Sequence, residues 1–150
     1  MSAPTTLGAS LLFRANQYPG KAALLVPLDG RHQTVTYSQM LERVRKIAGV
    51  LQELGVSKGD RLVILSENSV AWALSDWAAQ CLGVVTVPIY PSLPADQAAY
   101  ICTDSGATVA LVQNSKQAEK LASIAGLKLQ WLNSEGDQLG IEEHKGLPME

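Results

Sequence analysis

The chain has 150 residues, a length that suits one domain, and 47% of them are hydrophobic, which is enough to fill a core. It carries 12 basic and 14 acidic residues, a net charge of -2, and 5% aromatic residues. This composition gives no electrostatic reason to expect nucleic acid or an anionic membrane as a partner, and it argues against a base-stacking surface.

The beginning of the chain predicts a helix followed by a hairpin. Residues 7–17 carry apolar side chains on one side, as in a short amphipathic helix, and residues 22–26 form an apolar run typical of a strand. The Asp29-Gly30 pair is a strong turn signal. Residues 33–36 are therefore expected to return antiparallel to the first strand, in a hairpin packed beside the main sheet.

A second helix is predicted to follow this hairpin. Thr36 and Gln39 have the spacing of a capping box, in which each side chain satisfies a backbone N–H at the start of the helix. Glu42 and Lys46 are spaced for an ion pair one turn apart. A phosphate site is one interpretation of the basic residues on this helix, but a solvated helix face is the favoured one. These basic residues are Arg43, Arg45 and Lys46.

The middle of the chain holds the unit around which the rest is organised. Residues 61–65 form an apolar strand, and Ser66 and Asn68 are the two candidate N-cap residues of the helix that follows. That helix ends at Gly83, and residues 84–88 form the next strand. Such a strand-helix-strand unit requires parallel strands joined by a right-handed crossover. The expected apolar stripe of the helix is Val70, Leu74, Trp77 and Cys81.

The same alternation continues after this unit. Ser92 is expected to cap another helix, and residues 108–112 form a third apolar strand of the sheet. Asn114 and Gln117 repeat the spacing of a capping box before a helix that reaches Gly126. Residues 127–132 alternate between apolar and polar side chains, which predicts an edge strand with one solvated face.

Helices and strands thus alternate through most of the chain, and a glycine closes each of four helices just before a strand. The four glycines are Gly55, Gly83, Gly106 and Gly126. This order predicts an α/β fold with three layers, in which helices cover both faces of a parallel sheet. Residues 1–132 are assigned to one α/β subdomain. Residues 133–150 hold few apolar side chains and are assigned to a loop or linker.

Several classes of protein are not supported by the sequence. Cys81 and Cys102 both fall in predicted helices, which favours two buried thiols in a reducing cytosol over a disulfide scaffold. Polar residues and a change of period interrupt the apolar stretch 70–91, so no membrane span is predicted. No secretory signal is visible, and a cytoplasmic location is expected. His32 and His144 lack neighbours at ligand spacing, so no metal site is predicted.

In an open parallel sheet, ligands bind beyond the carboxyl ends of the strands. Here those positions are residues 66–68, 90–92 and 113–114. None of them carries a glycine-rich dinucleotide motif, a phosphate loop of the Walker type or a nucleophile elbow. Glu67 has the position of a general base, but a carboxylate in the first turn of a helix more often only complements the helix dipole.

The order and wording of several segments resemble the start of the AMP-forming acyl-CoA synthetases. The Ser-Glu-Asn and Pro-Ile-Tyr-Pro runs look most like the long-chain fatty acid branch, and the resemblance covers residues 7–132. The matching segments are Thr34-Val35-Thr36-Tyr37, Gly55-Val56-Ser57-Lys58-Gly59-Asp60-Arg61-Leu62, Leu65-Ser66-Glu67-Asn68-Ser69-Val70-Ala71-Trp72, Gly83-Val84-Val85-Thr86-Val87-Pro88-Ile89-Tyr90-Pro91 and Asp104-Ser105-Gly106-Ala107.

The resemblance implies that the chain is an incomplete N-terminal part of the large domain of a fatty acid–CoA ligase. Such an enzyme joins a fatty acid to AMP using ATP and Mg, and then passes the acyl group to coenzyme A. The family's phosphate loop, adenine-binding segments and catalytic lysine match no residue here, so no catalytic residue is assigned. Tyr90, Pro91 and Ser92 form the one candidate cofactor-binding loop, because its counterpart in some relatives faces coenzyme A. The alternative is a proline-fixed connection into the next helix.

Two further expectations concern the chain by itself. It should be inactive and bind none of the three cofactors tightly, since its lysines are predicted on solvated faces or in turns. One side of it should be apolar, because the family packs this sheet against the remainder of the chain, and that side should favour self-association. The parent enzyme is also a candidate for peripheral membrane association. The lysines considered are Lys21, Lys46, Lys58, Lys116, Lys120, Lys128 and Lys145.

Two other interpretations stay open at this point. The chain could be part of another adenylating enzyme, such as a fatty acyl-AMP ligase or an amino-acid-activating domain. It could also be a free-standing α/β interaction module without catalysis. The sequence that follows Glu150 in the gene would separate these interpretations, because the family builds its substrate pocket and phosphate loop there.

Overall fold

The computed structural model of the chain describes residues 3–133 and 140–141. Within these residues there are five helices and seven strands. They are α1 (Leu7–Gln17), β1 (Ala22–Leu28), β2 (Arg31–Thr36), α2 (Tyr37–Glu53), β3 (Arg61–Leu65), α3 (Val70–Leu82), β4 (Val85–Ile89), α4 (Ala95–Ser105), β5 (Val109–Val112), α5 (Ser115–Leu121), β6 (Lys128–Asn133) and β7 (Gly140–Ile141).

The main sheet has the strand order β4-β3-β5-β6-β7. β3 pairs in parallel with both β4 and β5, and β5 pairs in parallel with β6. The predicted parallel pairing of the strands around residues 61–65 and 84–88 is therefore confirmed, with Arg61 opposite Val85. β1 and β2 form a separate antiparallel hairpin, as the turn signal at Asp29-Gly30 predicted.

Helices cover both faces of the main sheet, which confirms the three-layer α/β fold. Successive side chains of a strand point to opposite faces, so each buried strand contributes to two cores. Leu62 and Ile64 of β3 pack with the helices α1, α2 and α3. Val63 and Leu65 pack on the opposite face with α4 and α5. All four of these side chains are fully buried.

The boundaries of the helices follow local chemistry in several places. The capping box at α2 is formed as predicted. The backbone N–H of Gln39 donates to Thr36 Oγ1 at 3.3 Å, and the backbone N–H of Thr36 donates to Gln39 Oε1 at 2.9 Å. Gly83 and Gly106 end α3 and α4 with φ of 70° and 69°, a left-handed conformation that costs other residues more than glycine.

The predicted N-caps of α3 and α4 were wrong. α3 is capped by Ser69, whose hydroxyl accepts from the Trp72 amide at 3.0 Å, and not by Ser66 or Asn68. Ser66 is buried at the end of β3, where its hydroxyl donates to the carbonyl oxygen of Glu67. α4 begins after Pro94 without a side-chain cap, because Ser92 lies inside a backbone turn that precedes the helix.

The core-facing side of α3 also differs from the predicted stripe. Leu74 is buried as expected, but Val70 and Trp77 are half-buried and Cys81 is exposed. Small side chains replace them in the core, because α3 packs closely between the sheet and the helices α1 and α2. The predicted stripe followed the large apolar side chains of α3, whereas close packing buries its small ones. The buried residues of α3 are Ala71, Leu74, Ser75, Ala78 and Ala79.

Two expectations for the last part of the fold were wrong. β6 is not an edge strand, because it pairs with β5 on one side and with β7 on the other, and its polar residue Gln130 is buried. α5 ends at Leu121 rather than near Gly126, and its capping box is half formed. The Gln117 amide donates to Asn114 Oδ1 at 3.1 Å, but Gln117 Oε1 has no hydrogen-bond partner.

The assignment of residues 133–150 to a loop or linker falls largely outside the described residues. Of the described residues in this segment, Asn133 ends β6, and residues 140–141 form the two-residue strand β7. Asn133 lies opposite Gly140, and Leu132 lies opposite Ile141. The proposed domain boundary at residue 132 therefore stays a prediction.

Candidate functional site

The carboxyl ends of β3, β4 and β5 bring three loops together at one edge of the main sheet. β3 lies between β4 and β5, so its loop is next to both of the others. The loop after β3 leads to α3 on one face, whereas those after β4 and β5 lead to α4 and α5 on the other face. Neighbouring loops that diverge in this way mark the switch point where open α/β sheets bind ligands.

The crevice between β3 and β5 is bridged by hydrogen bonds. The backbone N–H of Gln113 donates to the carbonyl oxygen of Leu65 at 3.2 Å, and its side-chain Oε1 accepts from the backbone N–H of Glu67 at 2.9 Å. The Glu67 side chain is exposed and precedes the Ser69 cap, so the prediction that it lies in the first turn of α3 was wrong. The sequence interpretation missed Gln113 as the residue that joins the two loops.

The predicted cofactor loop, Tyr90-Pro91-Ser92, forms a tight turn after β4. The Leu93 amide donates to the carbonyl oxygen of Tyr90 at 3.0 Å, with Pro91 and Ser92 in the two central positions of the turn. Proline suits the first central position because its φ is already fixed near the required value. The Tyr90 side chain is 76% exposed, and Ser92 is also exposed.

Lys120 reaches this turn from α5. Its Nζ donates to the carbonyl oxygens of Pro91 at 2.6 Å and of Leu93 at 2.8 Å, and the side chain is half-buried. Hydrogen bonds from an ammonium group to carbonyl oxygens at these distances are strong. The prediction that Lys120 lies on a solvated face was wrong. The contact depends on the packing of α4 against α5, for which the sequence contains no local signal.

Two other cations bind the carbonyl oxygens of helix C-termini. Arg61 donates from Nε to Ser105 at the end of α4, and Lys128 donates from Nζ to Leu54 at the end of α2, at 2.8 Å. The last carbonyl groups of a helix lack partners within the helix and carry partial negative charge. These two cations thus satisfy the ends of α4 and α2. Lys128 is exposed as predicted, but its ammonium group is bound to the carbonyl oxygen of Leu54.

The basic residues of α2 are partly as predicted. Lys46 forms the expected ion pair with Glu42 at 3.2 Å, with both side chains exposed, and Arg45 is exposed as well. Arg43 departs from the expected solvated face, because it is half-buried and its Nη1 has no hydrogen-bond partner. The exposed ion pair between Glu42 and Lys46 is of a kind that contributes about 0.2–0.5 kcal/mol to helix stability.

The remaining candidates for chemistry lie apart from this edge. Cys102 is buried in α4, where burial raises the pKa of its thiol, whereas Cys81 is exposed, contrary to the expectation of two buried thiols. His32 is exposed on β2, and His144 lies outside the described residues. In the described part of the chain, no three His, Cys, Asp or Glu residues are grouped so that they could hold a metal ion.

Of the N-caps predicted for α3, α4 and α5, one is where the sequence placed it. Asn114 caps α5, whereas the expected caps Asn68 and Ser92 do not cap α3 and α4.

No helix within residues 3–133 is long and apolar enough to span a membrane.

Comparison with known proteins gives consistent matches over most of the chain. The family model described as AMP-binding enzyme matches residues 12–145. A long-chain-fatty-acid–CoA ligase, FadD15 from Mycobacterium bovis, is 36% identical over 99 residues, which are 66% of this chain and 16% of the relative. The chain therefore spans less than a fifth of the length of that relative.

Solved structures show the same arrangement. A fatty acyl CoA synthetase from Mycobacterium tuberculosis superposes with a TM-score of 0.73 and 30% identity, covering 90% of this chain and 26% of that one. The N-terminal domain of FACL13 from Mycobacterium tuberculosis superposes with a TM-score of 0.75 and 29% identity, covering 91% of this chain and 34% of that one.

Proposed function

This chain belongs to the AMP-binding enzyme family, and on that basis we propose that it is the N-terminal part of a long-chain fatty acid–CoA ligase. The parent enzyme would convert fatty acid, ATP and coenzyme A into acyl-CoA, AMP and pyrophosphate. The observation that carries the proposal is the match to a long-chain-fatty-acid–CoA ligase over 66% of this chain. We also propose that the parent acts in fatty acid metabolism in the cytoplasm, and it stays a candidate for peripheral membrane association.

The described residues do not fit an ATP or Mg site. Adenylation needs positive charge and oriented donors around the phosphates as pyrophosphate leaves. At the carboxyl edge of the sheet, the ammonium of Lys120 is already bound to two carbonyl oxygens, and the amide of Glu67 is bound to Gln113. We therefore assign no step of adenylation to the described residues and expect this chain to be inactive alone.

For this part of the enzyme we propose a contact with coenzyme A. Tyr90, Pro91 and Ser92 lie beyond the carboxyl end of β4, where ligands bind in sheets of this type. The exposed side chains of Tyr90 and Ser92 are available to a ligand, while the backbone of the turn is held by the protein. The contribution of these residues would be binding and orientation, without proton transfer.

We also propose that the remainder of the parent chain covers part of the surface described here. Among the described strands, β4 pairs only with β3, so one edge of the sheet is open. Val85 on this strand is 55% exposed, and Tyr100 on the nearby α4 is 70% exposed. Exposed apolar side chains beside an open edge favour association, either with the rest of the enzyme or with a second copy.

The test compares this chain with the protein encoded by the complete gene. The complete protein should catalyse exchange of pyrophosphate into ATP that depends on a long-chain fatty acid, and should form acyl-CoA when coenzyme A is added. This chain alone should do neither. Exchange without acyl-CoA formation would indicate a fatty acyl-AMP ligase, and exchange dependent on an amino acid would indicate an amino-acid-activating domain. A complete gene ending at Glu150 would support the non-catalytic module instead.

A further inference from the structure

The turn after β4 combines a fixed backbone with exposed side chains. The carbonyl oxygen of Tyr90 accepts from Leu93 within the turn, and those of Pro91 and Leu93 accept from Lys120. Three of the four carbonyl groups in residues 90–93 are therefore engaged by the protein. A ligand at this turn would meet chiefly the side chains of Tyr90 and Ser92, which are exposed.

A simple connection between β4 and α4 does not require the Lys120 contact. Pro91 and the hydrogen bond from Leu93 to Tyr90 already define the turn. Lys120 is nevertheless half-buried, and its ammonium group binds two carbonyl oxygens, one on either side of Ser92. Partial burial of this charged group costs hydration free energy. Precise binding sites are built in this way, with ligand-facing side chains supported by other residues that fix their backbone.

We infer that Lys120 is a positioning residue for coenzyme A, acting through the turn that presents Tyr90 and Ser92. This inference rests on the proposed function, and it adds a residue that does not itself contact the ligand. Because Lys120 belongs to α5 and the turn precedes α4, the contact also makes the turn depend on the packing of these two helices. The adenylation half-reaction, which precedes the entry of coenzyme A, should not depend on Lys120.

The first experiment measures the turn in this chain itself. Lys120→Met keeps most of the aliphatic length and removes the ammonium group, and Lys116→Met makes the same change at an exposed position one turn earlier in α5. Hydrogen exchange at the Leu93 amide should accelerate about tenfold in K120M and stay unchanged in K116M. Unchanged exchange at Leu93 in a folded K120M would overturn the inference.

The second experiment uses the complete enzyme. K120M should raise the KM for coenzyme A about tenfold, while pyrophosphate exchange and the KM for ATP stay within about twofold of the unmodified enzyme. Lys120→Arg should restore most of the affinity, since a guanidinium group also donates two hydrogen bonds. K116M should match the unmodified enzyme in every measurement.

The possible outcomes separate this inference from the proposed function. Equal losses in pyrophosphate exchange and in coenzyme A use, together with a lower melting temperature, would show a purely structural role and overturn the inference alone. Normal pyrophosphate exchange together with an unchanged KM for coenzyme A in both Lys120 variants would also overturn the inference alone. An unmodified enzyme without fatty-acid-dependent exchange would overturn the proposed function, and the role of Lys120 in coenzyme A binding with it.

Discussion

The guanidinium group of Arg61, at the start of β3, donates from Nε to the carbonyl oxygen of Ser105 at 2.6 Å, across 44 positions of sequence. Its Nη2 also donates to the carbonyl oxygen of Gly106 at 3.2 Å. The guanidinium group thereby satisfies the end of α4, where carbonyl groups lack partners within the helix. Arg61 thereby joins β3 to the end of α4, the helix that connects β4 to β5.

Replacing Arg61 with methionine should lower the free energy of unfolding by about 1.5–3 kcal/mol, the range for hydrogen bonds to a charged group. Lysine at this position should recover part of the loss, because it keeps the charge but not the planar fork. Urea denaturation measures the effect. Arg45→Met, on the exposed side of α2, serves as the control and should change stability by less than about 0.5 kcal/mol. Equal effects at both positions would contradict the assigned role.

Gly8 marks the closest approach between α1 and α3. A Cβ atom added at this position would lie 2.8 Å from the Cα of Cys81. Gly8→Ala should therefore destabilise the protein by about 1–3 kcal/mol, even though alanine favours helix formation. Gly49→Ala in α2 should stabilise it by up to about 1 kcal/mol, because nothing lies within 4 Å of the added atom. Thermal unfolding of the two variants should give shifts of opposite sign.

The N-terminus of α3 allows a direct comparison of two adjacent residues. Ser69→Ala removes the hydroxyl that accepts from the Trp72 amide and should cost about 0.5–2 kcal/mol. Asn68→Ala removes an exposed side chain that does not cap the helix and should cost less than about 0.5 kcal/mol. Chemical denaturation of both variants under one set of conditions measures the difference. A larger loss for Asn68 would place the cap one residue earlier.

Burial of Cys102 predicts a dependence of stability on pH. Burial raises the pKa of this thiol above the ordinary value of 9.0, so the folded protein retains a proton that the unfolded chain loses. The buried thiol's contribution to the free energy of unfolding is complete below pH 9.0 and declines as the pH rises through the raised pKa. The stability difference between the unmodified protein and Cys102→Ala should therefore shrink above this pH. A difference that stays constant with rising pH would contradict the prediction.

The open edge at β4 predicts how the chain associates. Val85 on this strand is 55% exposed, so an apolar side chain lies on the surface beside the open edge. Val85→Lys should weaken self-association measured by sedimentation velocity, because a charge opposes pairing at an edge. Leu25→Lys, on the separate hairpin, also replaces an exposed apolar side chain and should have no effect. A monomeric unmodified chain at high concentration would count against this prediction.

Most elements of the fold were predictable from the sequence because their signals are local. The limits of α1 and of β3 match the predicted residues, since apolar periodicity and a nearby turn or break define each of them. The capping box of Thr36 and Gln39 depends on residues three positions apart, and it is formed as predicted. The alternation of helices and strands also determined the parallel sheet, because parallel neighbours need a crossover connection.

The candidate site was predicted less completely. The position of Tyr90-Pro91-Ser92 at the carboxyl end of β4 follows from the order of strands and helices along the chain. The ligand assigned to this turn remains a proposal that rests on similarity to a family. The contact that holds the turn was not predictable from Lys120 itself, since a lysine on a short amphipathic helix has the same local pattern whether it is solvated or bound.

By itself, the sequence determined most of the elements, the layer arrangement and the family. The tertiary structure alone decided which side of α3 is buried, that Gln130 lies inside, and that Arg61, Lys120 and Lys128 bind distant carbonyl groups. The physical reason is the range of the interactions. Periodicity and capping act within about one turn of the chain, whereas helix packing and a long cationic side chain join groups that only the complete fold brings within hydrogen-bond distance.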